Sequence, residues 1–209
     1  MKIVFATGNR GKLREAAEIL GEGFELVTPA EVGITEEIPE TGATLRANSL
    51  QKADYIYQKT GLNCFADDTG LEVEILGGAP GVETARYAGE EKDPAKNIEK
   101  LLKEMNRREK EASAARELGL SMSHANRAAR FRTSVTLILN GEKHFFDGIM
   151  EVSIARQRHG DGGFGYDPVF IPAGYDQTAA EITEEQKNAI SHRGKALRAM
   201  AAFLHDRNR

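Results

Sequence analysis

Asp67 and Asp68 stand side by side, followed by Thr69 and Gly70, and they are the residues here best suited to proton-transfer or metal chemistry. One carboxylate with a helper suffices to hold a divalent cation or to take a proton from water. Neighbouring strand residues face opposite ways, so at most one of the two points squarely into a site while the other holds the turn. Glu40, after Pro39 in a polar stretch, is a candidate helper or an ordinary solvated glutamate. Thr7-Gly8-Asn9 lies between an apolar run and a helical pattern, where free backbone N–H groups and the helix dipole attract an anion. Arg10, Gly11 and Lys12 follow and add charge, although an ordinary turn with exposed basic residues gives the same pattern. Phe164-Gly165-Tyr166-Asp167 offers aromatic faces for a base and a carboxylate for its sugar or edge, or a tight turn. Lys187, His192 and Arg193 gather three cation-capable side chains around a helix break, or a basic surface.

Two familiar nucleotide motifs fail on context. Gly8 to Leu13 has neither the glycine spacing nor the Ser or Thr of a Walker A loop. Gly160, Gly162 and Gly165 have dinucleotide spacing, but Tyr166-Asp167-Pro168 and a strand pattern follow where a helix should begin.

The elements that must position these residues read as α/β. A buried strand over Lys2–Ala6 leads to a helix over Lys12–Leu20 that stops at Gly21. A strand over Phe24–Thr28 and a helix over Thr44–Thr60 follow, then two strands, Asn63–Ala66 and Leu71–Ile75, with the aspartates at their junction. Asp93-Pro94 is an N-cap with proline at N1, and Ile98, Leu101, Leu102 and Met105 line one face of the next helix. Asn106–Arg130 is charged and weakly periodic, a surface helix or mobile insertion centred near residues 109–126. Phe131–Leu139 alternates, Asn140-Gly141 predicts a type I′ hairpin turn, and the return strand starts at Lys143. Further strands are expected at Val152–Ala155 and Val169–Ile171, a capping box at Thr183–Gln186, and a last helix packing Leu197, Met200, Ala201 and Leu204. The whole of residues 1–209 reads as one domain with a mixed sheet.

A chain of 209 residues buries a core without disulfides, and its single cysteine, Cys64, reads as a reduced thiol in a strand. The net charge of −4 excludes the basic stripe that nucleic acid requires, while a few placed cations still suit a small polyanion. The N-terminal apolar run breaks at Gly8, too short for a signal peptide or membrane span, so a cytoplasmic location is expected.

Taken in order, Thr7-Gly8-Asn9 with Lys12, Phe65 to Leu71, Gly78 to Val82 with Ala85 to Gly89, Gly162 to Phe170, and Lys187 to Arg193 resemble the inosine triphosphate pyrophosphatase family nearly end to end. The resemblance implies an elongated mixed β-sheet flanked by helices, two lobes with a central nucleotide cleft, and a homodimer. It implies a small-molecule nucleoside triphosphate substrate, phosphate binding at Thr7, Asn9 and Lys12 within a loop completed by Gly8, Arg10 and Gly11, and Thr69 near the phosphates. Glu40 and Asp68 are implied as ligands of Mg2+, with Asp68 also the base. Phe164, Gly165, Tyr166, Asp167, Lys187, His192 and Arg193 are implied as base and sugar contacts. Thr69 stands where bacterial members usually carry Ser, and the segment near 109–126 is longer than the family's usual connection.

The implied reaction is attack of water on the α-phosphorus with loss of pyrophosphate, which requires positive charge around the phosphates. Inosine and xanthosine triphosphates present an oxygen at purine C6, which donors satisfy and which adenine's amine does not match. Guanine shares that oxygen, so its rejection must come from the C2 side. A Maf-like nucleotide pyrophosphatase would be expected to lack the Lys187–Arg193 segment, and a non-catalytic nucleotide sensor would lack the carboxylates.

Overall fold

The structure is a computed structural model, and it describes residues 1–119 and 126–207. Among the described residues seven strands, β1 (Lys2–Phe5), β2 (Glu25–Val27), β3 (Cys64–Val73), β4 (Pro80–Gly81), β5 (Ala128–Leu139), β6 (Glu142–Ile154) and β7 (Phe170–Pro172), form one sheet. Its order is β2-β1-β3-β5-β6-β7, with β4 also paired to β3. The β1/β2 and β1/β3 pairs are parallel, while β3/β4 and β6/β7 are antiparallel, so the sheet is mixed as expected. Five helices accompany it among the described residues: α1 (Arg10–Leu20), α2 (Leu45–Thr60), α3 (Pro94–Glu117), α4 (Glu184–Ile190) and α5 (His192–Arg207).

The chain divides into two compact units, one of Met1–Thr69, Thr133–Ile149 and Ile190–Arg209, the other of Gly70–Arg132 and Met150–Ala189. The first unit has two cores, because alternate residues of a strand face opposite sides. Ile3, Phe5 and Phe65 pack with Ala16 and Leu20 of α1 and Leu197, Met200 and Leu204 of α5. Val4, Ala6, Cys64 and Ala66 pack on the other side with Ala53 and Ile56 of α2. Burial pushes the Cys64 thiol up to about 12, which keeps it protonated and inert. In the second unit Ile98, Leu101 and Met105 of α3 are buried, and Phe131 meets Phe170 edge to face at 4.7 Å.

Local signals hold up well. Asp93 caps α3 with Pro94 behind it, Asn140 and Gly141 both take positive φ as a type I′ turn requires, and Thr183 and Gln186 exchange the two hydrogen bonds of a capping box. Several expectations need correction. Asp67–Gly70 is not a junction, because β3 runs unbroken from Cys64 to Val73, and Ile75 falls in a 3₁₀ turn over Glu74–Leu76. The segment Val152–Ala155 is no separate strand: β6 continues from Glu142 to Ile154. The charged stretch after Asn106 takes the helical alternative as far as Glu117, prolonging α3 and burying Ala112 and Ala115, whereas β5 begins earlier than expected, at Ala128. Residues 120–125 of that stretch lie outside the described residues. The short late strand is Phe170–Pro172, preceded by a 3₁₀ turn over Asp167–Val169.

Candidate active site

In the first unit β1 delivers Thr7, Gly8 and Asn9 to the start of α1. Asn9 caps that helix, its Oδ1 accepting from the backbone N–H of Gly11 at 2.8 Å and Lys12 at 3.1 Å, while its own N–H donates to Thr7 Oγ1. Two of the N–H groups expected to greet an anion are therefore already taken by the cap. The Lys12 side chain carries the positive charge instead. A groove of about 1260 Å³ opens here, lined by Thr7, Gly8, Arg10, Lys12, Glu40, Lys52 and Asp67 among others. Asp68, Thr69, His192 and Arg193 are not among its lining residues.

Asp67 and Asp68 do face opposite ways along β3, but neither holds a turn. Asp67 is 1 % exposed and gathers cations from three helices. Lys12 Nζ lies 2.9 Å from Asp67 Oδ2, Arg193 Nε lies 3.0 Å from the same oxygen, and Lys52 Nζ donates to the Asp67 backbone carbonyl at 2.6 Å. Burial alone would raise this carboxyl, but Lys12, Arg193 and Lys52 outweigh it and hold the group far below the usual carboxylate range. Arg193 is gripped from its other side by Glu15 Oε2 at 3.3 Å.

Asp68 behaves in the opposite sense. Its carboxylate accepts from Asn48 Nδ2 and from the Thr69 N–H, each at 3.0 Å, and Asn48 is itself fixed by the Gly42 N–H at 2.6 Å. Burial raises the Asp68 carboxyl and the charge of Glu40 adds to this, while Lys52 and Asn48 oppose it. Lys52 also donates to the Glu40 carboxylate. The two adjacent carboxyls are thus shifted in opposite directions, Asp67 downward and Asp68 upward.

The start of α5 sits directly on β6. A Cβ at Gly148 would stand 2.7 Å from the Ala196 backbone nitrogen and closer still to the His192 carbonyl oxygen, a contact that only glycine permits. Gly148→Ala must therefore displace the turn that carries His192 and Arg193. We expect a loss of about 1–3 kcal/mol in stability and at least a tenfold fall in kcat/KM. Thermal unfolding and steady-state kinetics check this, and wild-type values in both would contradict it.

His192 Nδ1 lies 2.7 Å from Thr133 Oγ1, and Thr133 Oγ1 lies 2.7 Å from Thr69 Oγ1. Burial, seconded by the charge of Arg193, lowers His192 from 6.5 to about 3, so the folded protein holds it neutral. Between those values the unfolded chain binds a proton that the folded protein refuses. The stability it lends is thus complete above pH 6.5 and lost as pH falls through that window. At pH 5, above the range of most carboxylates, the cost relative to pH 7.5 is about 2 kcal/mol. Urea unfolding at the two values should show this drop in the wild type and a smaller one in His192→Asn; equal drops would contradict it.

In the second unit Asp167, 5 % exposed, accepts from the Phe164 N–H at 2.9 Å and from Lys187 Nζ at 2.7 Å. Gly163 has φ +75°, and a Cβ there would run into the Asp167 carboxylate. Gly165, at φ +59°, completes the turn that leaves the Phe164 ring 78 % exposed with Lys187 Nζ 5.4 Å from its centre. Tyr166 is buried and its hydroxyl donates to the Thr84 carbonyl at 2.9 Å, so its phenol anchors the loop. Thus Phe164, Gly165, Tyr166, Asp167 and Lys187 come together in one unit. Residues Thr7 to Lys12, Glu40, Asp68, Thr69, His192 and Arg193 come together in the other.

Sequence reasoning missed Lys52, Asn48, Glu15 and Thr133, and it gave Asp67 no role in holding Lys12 and Arg193. One signal was available: Asn48 and Lys52 are four apart on α2, and Lys12 and Glu15 three apart on α1, so each pair shares a helical face.

Among the described residues no helix is long and apolar enough to cross a membrane, and no group of three or more His, Cys, Asp or Glu residues is placed to hold a metal ion. The sequence profile of the Ham1 family matches residues 3–203. A dITP/XTP pyrophosphatase of Porphyromonas gingivalis is 47 % identical over 203 residues, 97 % of each chain. That of Flavobacterium psychrophilum is 43 % identical over 204 residues, 98 % of this chain and 99 % of its own. A solved HAM1 protein from Coxiella burnetii superposes with a TM-score of 0.87 at 34 % identity, covering 99 % of both chains.

Proposed function

Because the chain belongs to the Ham1 family, we propose that it is a nucleoside triphosphate pyrophosphatase that hydrolyses non-canonical purine nucleoside triphosphates, ITP, dITP and XTP, to the monophosphate and pyrophosphate. The observation that carries the mechanism is the division between Asp67 and Asp68. Asp67 is a fixed anion that holds Lys12 and Arg193, while Asp68, raised by burial and by Glu40, is the proton acceptor for the attacking water. Lys12, Thr7, Asn9 and the flanking Gly8, Arg10 and Gly11 receive the phosphate tail, with Thr69 nearby.

Glu40 and Asp68 are hard oxygen donors, and the mutual repulsion that helps raise Asp68 is what a divalent cation relieves. These two carboxylates would hold Mg2+, a hard cation that prefers oxygen donors. Bound there, Mg2+ would supply charge neutralisation for the departing pyrophosphate. Lys52, between Glu40 and the Asp67 carbonyl, is a second source of positive charge beside the same carboxylates.

Base selection follows from donors. An arginine has five N–H groups; the structure uses Arg193 Nε and one N–H on Nη1 for Asp67 and Glu15, and others remain for the purine C6 oxygen. His192 adds an imidazole, Phe164 an exposed ring for stacking, and the Asp167–Lys187 pair with Gly165 and Tyr166 shapes the loop that presents it. Residues 1–209 act in this reading as a single domain, in a cytoplasmic homodimer that engages neither nucleic acid nor membrane. The test is pyrophosphate release from ITP, dITP, XTP, GTP and ATP with and without Mg2+. Fast, Mg2+-dependent release from the ITP, dITP and XTP group and slow release from ATP are expected. Preference for ATP, or orthophosphate as the product, would overturn the reading.

A further inference from the structure

Thr133 is fully buried on β5, the strand beside β3 in the sheet. Its hydroxyl stands between two groups of the proposed site, 2.7 Å from Thr69 Oγ1 and 2.7 Å from His192 Nδ1. A threonine hydroxyl has one proton and two lone pairs, so it joins both neighbours either by donating to one and accepting from the other or by accepting from both. The three groups therefore form a hydrogen-bonded chain from hydroxyl to hydroxyl to imidazole. We propose that Thr133 is a positioning residue that fixes the Thr69 hydroxyl and the His192 ring relative to each other, so that the phosphate-side and base-side contacts are set as one unit. The roles of Thr69 and His192 in this statement rest on the proposed function, whereas the chain itself is a matter of geometry.

The competing account is that Thr133 merely fills a strand position, for which a β-branched residue is well suited. Valine fills the same volume without the hydroxyl, so it separates the two accounts. In Thr133→Val both neighbours lose a hydrogen bond, and the valine methyl at this buried position offers nothing in its place. His192 is neutral when folded, so its Nδ1 either donates to or accepts from Thr133 according to its tautomer, and the bond selects the tautomer.

The experiment compares the full-length wild type, Thr133→Val and Thr133→Ser. It records kcat/KM for ITP and ATP, the ring ¹⁵N shifts of His192 without nucleotide, and thermal unfolding. Thr133→Val should lower kcat/KM for ITP roughly tenfold, lower that for ATP less, and move the His192 ring nitrogens. Thr133→Ser, which restores the hydroxyl, should return all of these to near wild type. Unmoved ¹⁵N shifts, a rate for ITP within threefold of wild type, or a parallel fall for both nucleotides that serine does not rescue would each overturn the proposal. Should Thr133→Val fail to fold, Thr133→Ala with the same measurements decides. If the wild type releases no pyrophosphate from ITP, the functional reading fails while the ¹⁵N comparison still judges the chain.

Discussion

Asp68→Asn is expected to lower kcat by a factor on the order of 10³ while nucleotide binding stays measurable. The substitution keeps the shape of the side chain and removes both its charge and its capacity to take a proton, which matter more in the transition state than in the ground state. The surroundings add a second consequence. Asn48 Nδ2 and the Thr69 N–H both donate to this carboxylate, at 3.0 Å each, and an amide offers only one oxygen to receive them. One donor is left facing an NH₂ group, at a cost of about 1–3 kcal/mol in stability. Binding of a non-hydrolysed analogue by calorimetry, turnover by pyrophosphate release and the melting temperature separate the two effects. Turnover within threefold of wild type would remove Asp68 from the mechanism.

Asp67→Ala should act first on the fold. Removing this carboxylate leaves Lys12 and Arg193 without their shared partner, and breaking a buried pair by deleting one member costs about 3–5 kcal/mol. The lower end applies, since the Lys12 side chain retains 26 % exposure and Arg193 keeps Glu15. For a chain of this size that is a fall of roughly 10 °C in Tm. Activity should fall with it even below the melting range, because Lys12 and Arg193 lose their common anchor. The double substitution Asp67→Ala with Lys12→Ala should recover part of the stability and none of the activity. A melting temperature within about 2 °C of wild type would mean that Lys12 and Arg193 are held by something other than the Asp67 carboxylate.

What the sequence makes legible is what short-range chemistry decides. The Asp93-Pro94 helix start, the Asn140-Gly141 turn and the Thr183–Gln186 capping box each depend on residues within one turn of one another, and each stands where expected. Asp67-Asp68-Thr69-Gly70 misleads because all four are turn-favouring types. The strand continues through them because Asp67 is satisfied by Lys12 and Arg193, 55 and 126 residues away. The length of β6 is hidden in the same way: Gly148 interrupts the alternation, and its reason is the close approach of α5. Asp68 and Glu40 are visible as acidic residues in a polar setting. Asn48 and Lys52, which orient them, sit among the polar residues of an ordinary helix and become visible only when α2 is laid against β3.

The account turns on which phosphorus the water attacks. Hydrolysis of ITP in H₂¹⁸O with Mg2+, followed by ³¹P NMR and mass spectrometry of the products, reads this directly. Attack at the α-phosphorus places one ¹⁸O in inosine monophosphate and leaves the pyrophosphate unlabelled, which is the predicted result. Label in pyrophosphate, or in orthophosphate released beside inosine diphosphate, would contradict it.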